Sequence, residues 1–430
     1  MHYFSTNRQS PHVSFREALL NGQPDDKGLY FPSEIPLLTN GLIANLPGLS
    51  NEQIAFDVIR PYVDGDISDV DLFEICRETV NFDFPLVAIN ERISTLELFH
   101  GPTLAFKDVG ARFMSRCLRH FSKNNEEKTI VIVATSGDTG GAVAAGFHGV
   151  EGIEVVILYP KDKVSKVQEL QLTTLGGNVT TLELRGTFDD CQAIAKQALG
   201  DIDLRTKAHF TSANSINVAR WLPQQFYYFY ALKQWQGEPP VISVPSGNFG
   251  NLASGILAHI SGLPVEKFIA ACNANDVVTR FLQTENYEPL PSVATLSNAM
   301  DVGAPSNFVR ILEIFDNKFI DLKEKLESVS ISDETTAATM RDVYAKYGYT
   351  LDPHGAVGYR ALADHFEKNA DSRGIFLETA HPVKFDSVGE IIGQAPMVPQ
   401  SVESLFAKEK QSIEIGNDYT AVREILLSKI

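Results

Sequence analysis

Apolar and polar positions along the middle of the chain fall into a repeated block. From Thr129, Ile130-Val-Ile-Val133 is an unbroken apolar run and Thr135-Ser-Gly-Asp-Thr-Gly-Gly141 is polar and glycine-rich. Ala142-Val-Ala-Ala-Gly-Phe-His148 is then small and helix-compatible, and Val155-Val-Ile-Leu158 is a second apolar run. Short apolar runs bounded by turn residues predict buried strands, so this stretch predicts a βαβ unit. The block returns as Val241-Ile-Ser-Val244, the loop Pro245-Ser-Gly-Asn-Phe-Gly-Asn251 and the helical Leu252-Ala-Ser-Gly-Ile-Leu-Ala-His259. Downstream, Asn307–Phe315 and Asp333–Asp342 predict helices whose apolar spacing marks core faces. Asp333 is read as a cap, with an end near Gly348.

The first ninety residues show another pattern. Pro11, Pro24, Pro32, Pro36, Pro47 and Pro61 interrupt them, which predicts short elements packed as an accessory domain. Strand–helix alternation thereafter predicts an α/β protein with two parallel-sheet lobes, and Gln236-Gly-Glu-Pro-Pro240 is the natural crossing between them. The expected organisation is an N-terminal domain over 1–92, one lobe over 93–235 and a second over 236–430, with the site in the cleft between lobes.

Composition changes this picture only by exclusion. A chain of 430 residues, 44% hydrophobic and 21% charged, is long enough for two or three domains with real cores. A net charge of −17 argues against a nucleic-acid face or an anionic membrane partner. Residues 1–20 alternate polar and apolar, and no apolar run approaches transmembrane length, so a cytoplasmic protein is expected. Cys76, Cys117, Cys191 and Cys272 are scattered without a Cys-x-x-Cys pair; they read as buried free thiols, and no metal site is expected.

Candidate chemistry centres on one lysine. His100-Gly-Pro-Thr-Leu-Ala-Phe-Lys107 sets Lys107 among small and apolar residues just before a helical run. An amine that leaves its water loses charge stabilisation and becomes a nucleophile toward an aldehyde; the alternative is a helix-end lysine whose ammonium reaches solvent. The loop at 135–141 offers hydroxyls, a carboxylate and free helix amides. That set suits a small anion such as a substrate carboxylate, or a turn in which Ser136, Asp138 or Thr139 only caps backbone donors. In the second loop, Gly247 and Gly250 let backbone approach a phosphate; by itself the loop reads more readily as an ordinary strand-to-helix turn. Neither a Walker loop nor Gly-x-Gly-x-x-Gly is present.

Taken together, five segments give a specific match. They are Leu98-Phe-His-Gly-Pro-Thr-Leu-Ala-Phe-Lys-Asp108, Ala134-Thr-Ser-Gly-Asp-Thr-Gly140, Ser243-Val-Pro-Ser-Gly-Asn-Phe-Gly250, Leu296-Ser-Asn-Ala-Met-Asp301 and Glu378-Thr-Ala-His-Pro-Val-Lys-Phe385. In this order they resemble the threonine synthase family, bacterial and fungal branch, among the fold type II (tryptophan synthase β-like) pyridoxal 5′-phosphate (PLP) enzymes. Ser14-Phe-Arg-Glu-Ala-Leu-Leu20 and Lys27-Gly-Leu-Tyr-Phe-Pro32 agree, while Tyr3-Phe-Ser-Thr-Asn7 departs from the family's Tyr-x-Ser-Thr-Arg.

The resemblance implies roles. Lys107 would hold PLP covalently and move protons; Gly247, Asn248, Phe249, Gly250 and Asn251 would hold the cofactor phosphate; Thr379 would hydrogen-bond the pyridine nitrogen. A neutral hydroxyl there gives a milder electron sink than a carboxylate. Absent the resemblance, Thr379 reads as a strand-end hydroxyl bonded to backbone. Ser136, Gly137, Asp138 and Thr139 would receive the substrate α-carboxylate. Asp138 would also reach the cofactor's phenolic oxygen, where two facing anions call for a shared proton or a rotated Asp138. Lys163, Lys166, Arg112, Arg280, Arg310 and Lys384 are the cations available for a leaving phosphate. The implied reaction is O-phospho-L-homoserine plus water to L-threonine plus phosphate. The alternatives are a PLP-dependent phospho-lyase releasing a 2-oxo acid and ammonia, and a non-catalytic anion-binding homologue. Monomer and homodimer both remain open.

Overall fold

The computed structural model describes residues 1–122 and 128–430. Thirteen strands occur in chain order among them: Tyr3–Ser5 (β1), Tyr30–Pro32 (β2), Leu86–Ala88 (β3), Ile93–Glu97 (β4), Thr129–Ala134 (β5), Ile153–Pro160 (β6), Val179–Leu184 (β7), His209–Ser212 (β8), Val241–Pro245 (β9), Lys267–Cys272 (β10), Leu326–Ser330 (β11), Gly374–Glu378 (β12) and Ile413–Ile415 (β13).

Two sheets carry the architecture. One has five parallel strands in the order β13-β7-β6-β5-β8; the other has six in the order β11-β10-β9-β12-β4-β3, parallel except where β3 meets β4. All six residues of β5 and all five of β9 are buried. Helices cover both faces of such a sheet, which is why these strands read as continuous apolar runs rather than alternating ones. β1 and β2 form a separate antiparallel ribbon at the N-terminal end, held to the helix Asn51–Val63 by the Tyr3 hydroxyl donating to the Tyr62 carbonyl at 2.6 Å.

The sheets do not divide by chain order. β4, which precedes the first βαβ unit, lies beside β12 in the six-stranded sheet, and β13, near the C-terminus, closes the edge of the five-stranded one. Apolar periodicity finds strands but carries no information on which distant strand each will meet. No helix among the described residues is long and apolar enough to cross a membrane.

Four helices begin beside the site: Lys107–Ser122 (α1), Asp138–Phe147 (α2), Gly250–Ile260 (α3) and Pro353–Lys368 (α4). α2 starts at Asp138 rather than Ala142, and α3 at Gly250 rather than Leu252, because their first turns are built from glycine and polar residues. Asp333 is the first helical residue, not the cap; Ser332 caps it by accepting from Thr335 N. That helix does end at Gly348, in the left-handed region at φ 68°. Pro61 lies inside its helix, two residues from the end, rather than breaking it.

Candidate active site

Loops from the carboxyl ends of β4, β5, β9 and β12 converge, the place where parallel sheets offer a crevice. The loop before Lys107 is laced onto the segment after β12: Leu98 N donates to Glu378 O at 2.9 Å, Phe106 N to Thr379 O at 2.9 Å, and His381 N to Leu104 O at 3.0 Å. Asp108, buried, accepts from Thr103 N at 2.9 Å and from the Thr103 hydroxyl at 2.6 Å. A Cβ on Gly101 would stand 2.5 Å from Asp108 Oδ2, so the glycine, threonine and aspartate of this motif form one interlocked turn. Leu104 completes it at φ 58°, a left-handed conformation costing about 1–3 kcal/mol in a non-glycine residue. The result fixes Lys107 as the first residue of α1, half-buried at the cleft.

Burial pushes the Lys107 amine below the usual lysine pKa; Asp138 pulls it back up, and the charges of Lys384 and Arg220 push it further down. The low-pKa amine that an imine-forming lysine needs is therefore supplied mainly by desolvation.

Asp138 is occupied in a way the sequence did not express. Its Oδ1 lies 2.7 Å from Lys384 Nζ and accepts from Gln168 Nε2 at 2.9 Å; Lys384 also donates to Thr103 O at 2.8 Å. Burial alone would raise the Asp138 pKa, but Lys384 and Lys107 overcome it and hold the carboxyl well below the usual range. The ionised Asp138 thus already has a counter-charge in the buried Lys384. Gly137, at φ 143°, is required there, since a Cβ would meet the Gln168 amide at 2.6 Å.

Capping at this turn falls on Thr135, whose hydroxyl oxygen accepts from Gly137 N at 3.0 Å and Gly140 N at 2.8 Å. The hydroxyls of Ser136, exposed, and Thr139, half-buried, make no hydrogen bond among the described residues.

The second loop is tied on every side. A Cβ on Gly247 would lie 2.5 Å from Met300 Cα and 3.0 Å from Ala299 O, so the Leu296–Asp301 motif presses directly on it. Asn248 Nδ2 donates to Ser215 Oγ at 2.7 Å while its Oδ1 accepts from Ser306 N at 2.6 Å. Phe249 takes the left-handed region at φ 61° and packs edge-on against Phe308. Asn251 Oδ1 accepts from the Tyr228 hydroxyl at 2.9 Å. No side chain caps α3, which leaves its first amides unclaimed by any cap.

Thr379 comes directly after the last residue of β12 and is buried, yet only its backbone carbonyl is hydrogen-bonded among the described residues. Its hydroxyl is not used by the backbone. A nucleophilic amine, an uncapped helix start in a glycine cradle and a free neutral hydroxyl are the donor set that PLP's aldehyde, phosphate and ring nitrogen need, so the residues fit that cofactor.

The six candidate cations sort differently. Arg112 donates to Thr79 O at 3.2 Å and to Asn81 Oδ1 at 2.7 Å. Arg280 pairs with Asp276 at 3.0 Å, and Lys166 with Glu169 at 3.5 Å. Arg310 is fully buried, donating to Ser215 O, Ile216 O, Tyr30 O and Asn307 Oδ1; burial drops its pKa to about 9. It clamps the N-terminal domain behind the Asn248 loop. Lys163, exposed, has no ion-pair partner among the described residues.

Compared with known proteins, residues 91–376 match the family model described as "Pyridoxal-phosphate dependent enzyme", residues 2–80 "Threonine synthase N terminus" and residues 355–426 "Threonine synthase, C-terminal". The chain is 43% identical to a threonine synthase of Haemophilus influenzae, covering 99% of this chain and 100% of that one. It superposes on the crystal structure of threonine synthase from Escherichia coli with a TM-score of 0.93 at 41% identity, with 100% of both chains covered. The PLP-bound threonine synthase of Brucella melitensis gives 0.92 at 33% identity, covering 100% of this chain and 99% of that one. A maize serine racemase, at 16% identity and a TM-score of 0.55 over 79% of this chain and 95% of its own, shares the fold.

Proposed function

The chain belongs to the threonine synthase family of PLP-dependent enzymes, and on that premise we propose that it forms L-threonine and phosphate from O-phospho-L-homoserine and water at a site centred on Lys107. The observation that carries the activity is the full-length match to threonine synthases, at both ends of the chain as well as in the PLP core. PLP, when bound, supplies the electron sink that lets protons leave the substrate's α and β carbons.

The chain's own residues do the rest. Lys107 attaches the cofactor, and the burial that lowers its pKa makes its amine a better proton acceptor and donor than a solvated lysine. Gly247 to Asn251 hold the cofactor phosphate through backbone amides at the start of α3, with the Asn248 side chain already holding neighbours and the buried Asn251 Nδ2 left as a free donor. The Thr379 hydroxyl meets the ring nitrogen. Ser136 and Thr139, with the amides that open α2, take the substrate α-carboxylate; Asp138 stays anionic under Lys384 and sets the field on Lys107. Buried free thiols suit a reducing compartment, and we place the protein in the cytoplasm.

The test is to incubate protein, PLP and O-phospho-L-homoserine and quantify threonine, 2-oxobutanoate and phosphate together. Threonine equal to phosphate is the expected result. Phosphate accompanied by 2-oxobutanoate overturns it in favour of the lyase, and absence of phosphate overturns the substrate.

A further inference from the structure

The carboxyl ends of β4 and β12 carry acids that the chemistry above leaves unused. Glu97 and Glu378 are register partners on adjacent parallel strands, so both side chains leave the same face of the sheet. Asp352, the N-cap of α4, joins them, and both Asp352 and Glu378 are fully buried. Glu378 Oε1 accepts from Asp352 N at 2.7 Å, and Asp352 Oδ1 accepts from His354 N at 2.7 Å and lies 2.5 Å from His354 Nδ1. The two remaining oxygens, Glu378 Oε2 and Asp352 Oδ2, are buried without a donor among the described residues, and the bond from Asp352 N to Glu378 Oε1 brings the two carboxyl groups into contact. Carboxylates only accept, so this contact is a bond only if a proton lies within it.

No basic group compensates for two charges. His354 Nε2 accepts from Ala299 N at 3.1 Å, which places the ring proton on Nδ1, toward Asp352, and leaves the imidazole neutral. The other titratable groups facing the pair are Glu97, Tyr349 and His100, which hydrogen-bond Glu97 at 2.8 and 2.7 Å, and His381, whose pKa burial lowers to about 4. The start of α4 favours one negative charge there, not two. Gly355 makes the room: a Cβ on it would fall on Glu378 Oε2. Burial first, then the Asp352 charge, pushes the Glu378 pKa well above the usual glutamate value.

We propose that Glu378 and Asp352 share a single proton and act together as a positioning unit that sets the Thr379 hydroxyl against the Gly247 loop. The connection is covalent at one end and mechanical at the other. Thr379 is the next residue after Glu378, and Asp352 orients His354, which holds Ala299 N, while Ala299 O and Met300 Cα press on Gly247. The link to Thr379 rests on the cofactor reading above; the shared proton does not.

The test compares the wild type with Glu378→Gln, Asp352→Asn and Glu378→Ala, each as full-length protein with PLP. The infrared difference spectrum of wild type minus Glu378→Gln at neutral pH is expected to show a protonated-carboxyl C=O stretch, and wild type minus Asp352→Asn the same band. Its absence from both overturns the shared proton, and since it is read equally in protein without PLP, a failure of the cofactor reading does not disturb it. A glutamine amide donates to Asp352 Oδ2 without a titratable proton. Glu378→Gln is therefore expected to keep the cofactor's absorption maximum, while Glu378→Ala shifts it and weakens PLP binding about ten-fold or more. An unshifted spectrum in Glu378→Ala overturns the positioning role. A group with a raised folded pKa contributes stability that is full below the ordinary glutamate range and is lost as pH climbs through the raised value. Unfolding temperature should accordingly fall with rising pH more steeply in the wild type than in Glu378→Gln; parallel profiles overturn the shared proton.

Discussion

The two strand–loop–helix turns look alike in sequence and are built in opposite ways. At Thr135–Thr139 one hydroxyl closes the turn, and Ser136 and Thr139 are left without partners above a buried Asp138–Lys384 pair. At Ser246–Asn251 the side chains of Ser246, Asn248 and Asn251 are each hydrogen-bonded from behind, with only Asn251 Nδ2 left free, Phe249 is wedged in a left-handed conformation, and Met300 closes on Gly247. A cofactor that stays needs a grip with nothing left to move, whereas a substrate that comes and goes needs free groups over a fixed charge. On the proposed assignment, the difference between the loops separates those two tasks.

Removing Lys107 should have the largest effect. Lys107→Ala is expected to cut turnover by about 10³-fold or more with little change in melting temperature, because a half-buried cleft lysine contributes little packing. Threonine formed at the wild-type rate would contradict this.

Breaking the charge under the first loop comes next. Lys384→Met leaves Asp138 buried without its partner and should cost about 3–5 kcal/mol in urea unfolding. The depressed Asp138 pKa contributes stability that is present above the ordinary aspartate range and lost as pH falls, so the acid limb of stability should move to higher pH in the variant. A wild-type acid limb would show that the pair is not holding Asp138 charged.

Gly247→Ala attacks the rigid loop alone. Its Cβ must displace backbone at Met300, at about 1–3 kcal/mol, so PLP affinity should fall by about 10- to 100-fold at saturating-PLP KM near the wild-type value. Ser136→Ala sharpens the contrast from the other side: KM for the phosphorylated substrate should rise by about ten-fold, with PLP affinity and melting temperature unmoved. If the two variants exchanged these phenotypes, the division of labour would be reversed.

Much of this is legible in the chain, for physical reasons that differ by residue. β5, β6 and β9 announce themselves because a parallel strand buried on both faces must be predominantly apolar. The positions of β4 and β13 do not, since partner choice between strands hundreds of residues apart leaves no local trace. The helix starts at Asp138 and Gly250 lie two to four residues ahead of where apolar patterning puts them, because glycines needed for close approach mask helical preference. Lys107, the two loops and Thr379 stand out from the motifs. The partners that define them do not: Gln168 under Gly137 and Ser215 under Asn248 are contacts of packing, not of spacing. Lys384 stands in a motif, but as one cation among six; its total burial against Asp138 is what spacing does not express.

The most direct measurement of the central claim is to load the protein with PLP, reduce it with borohydride, digest it and locate the pyridoxyl group by mass spectrometry. A single modified residue, Lys107, is the predicted result. Modification of Lys384 or of any other lysine, with Lys107 left free, would contradict it.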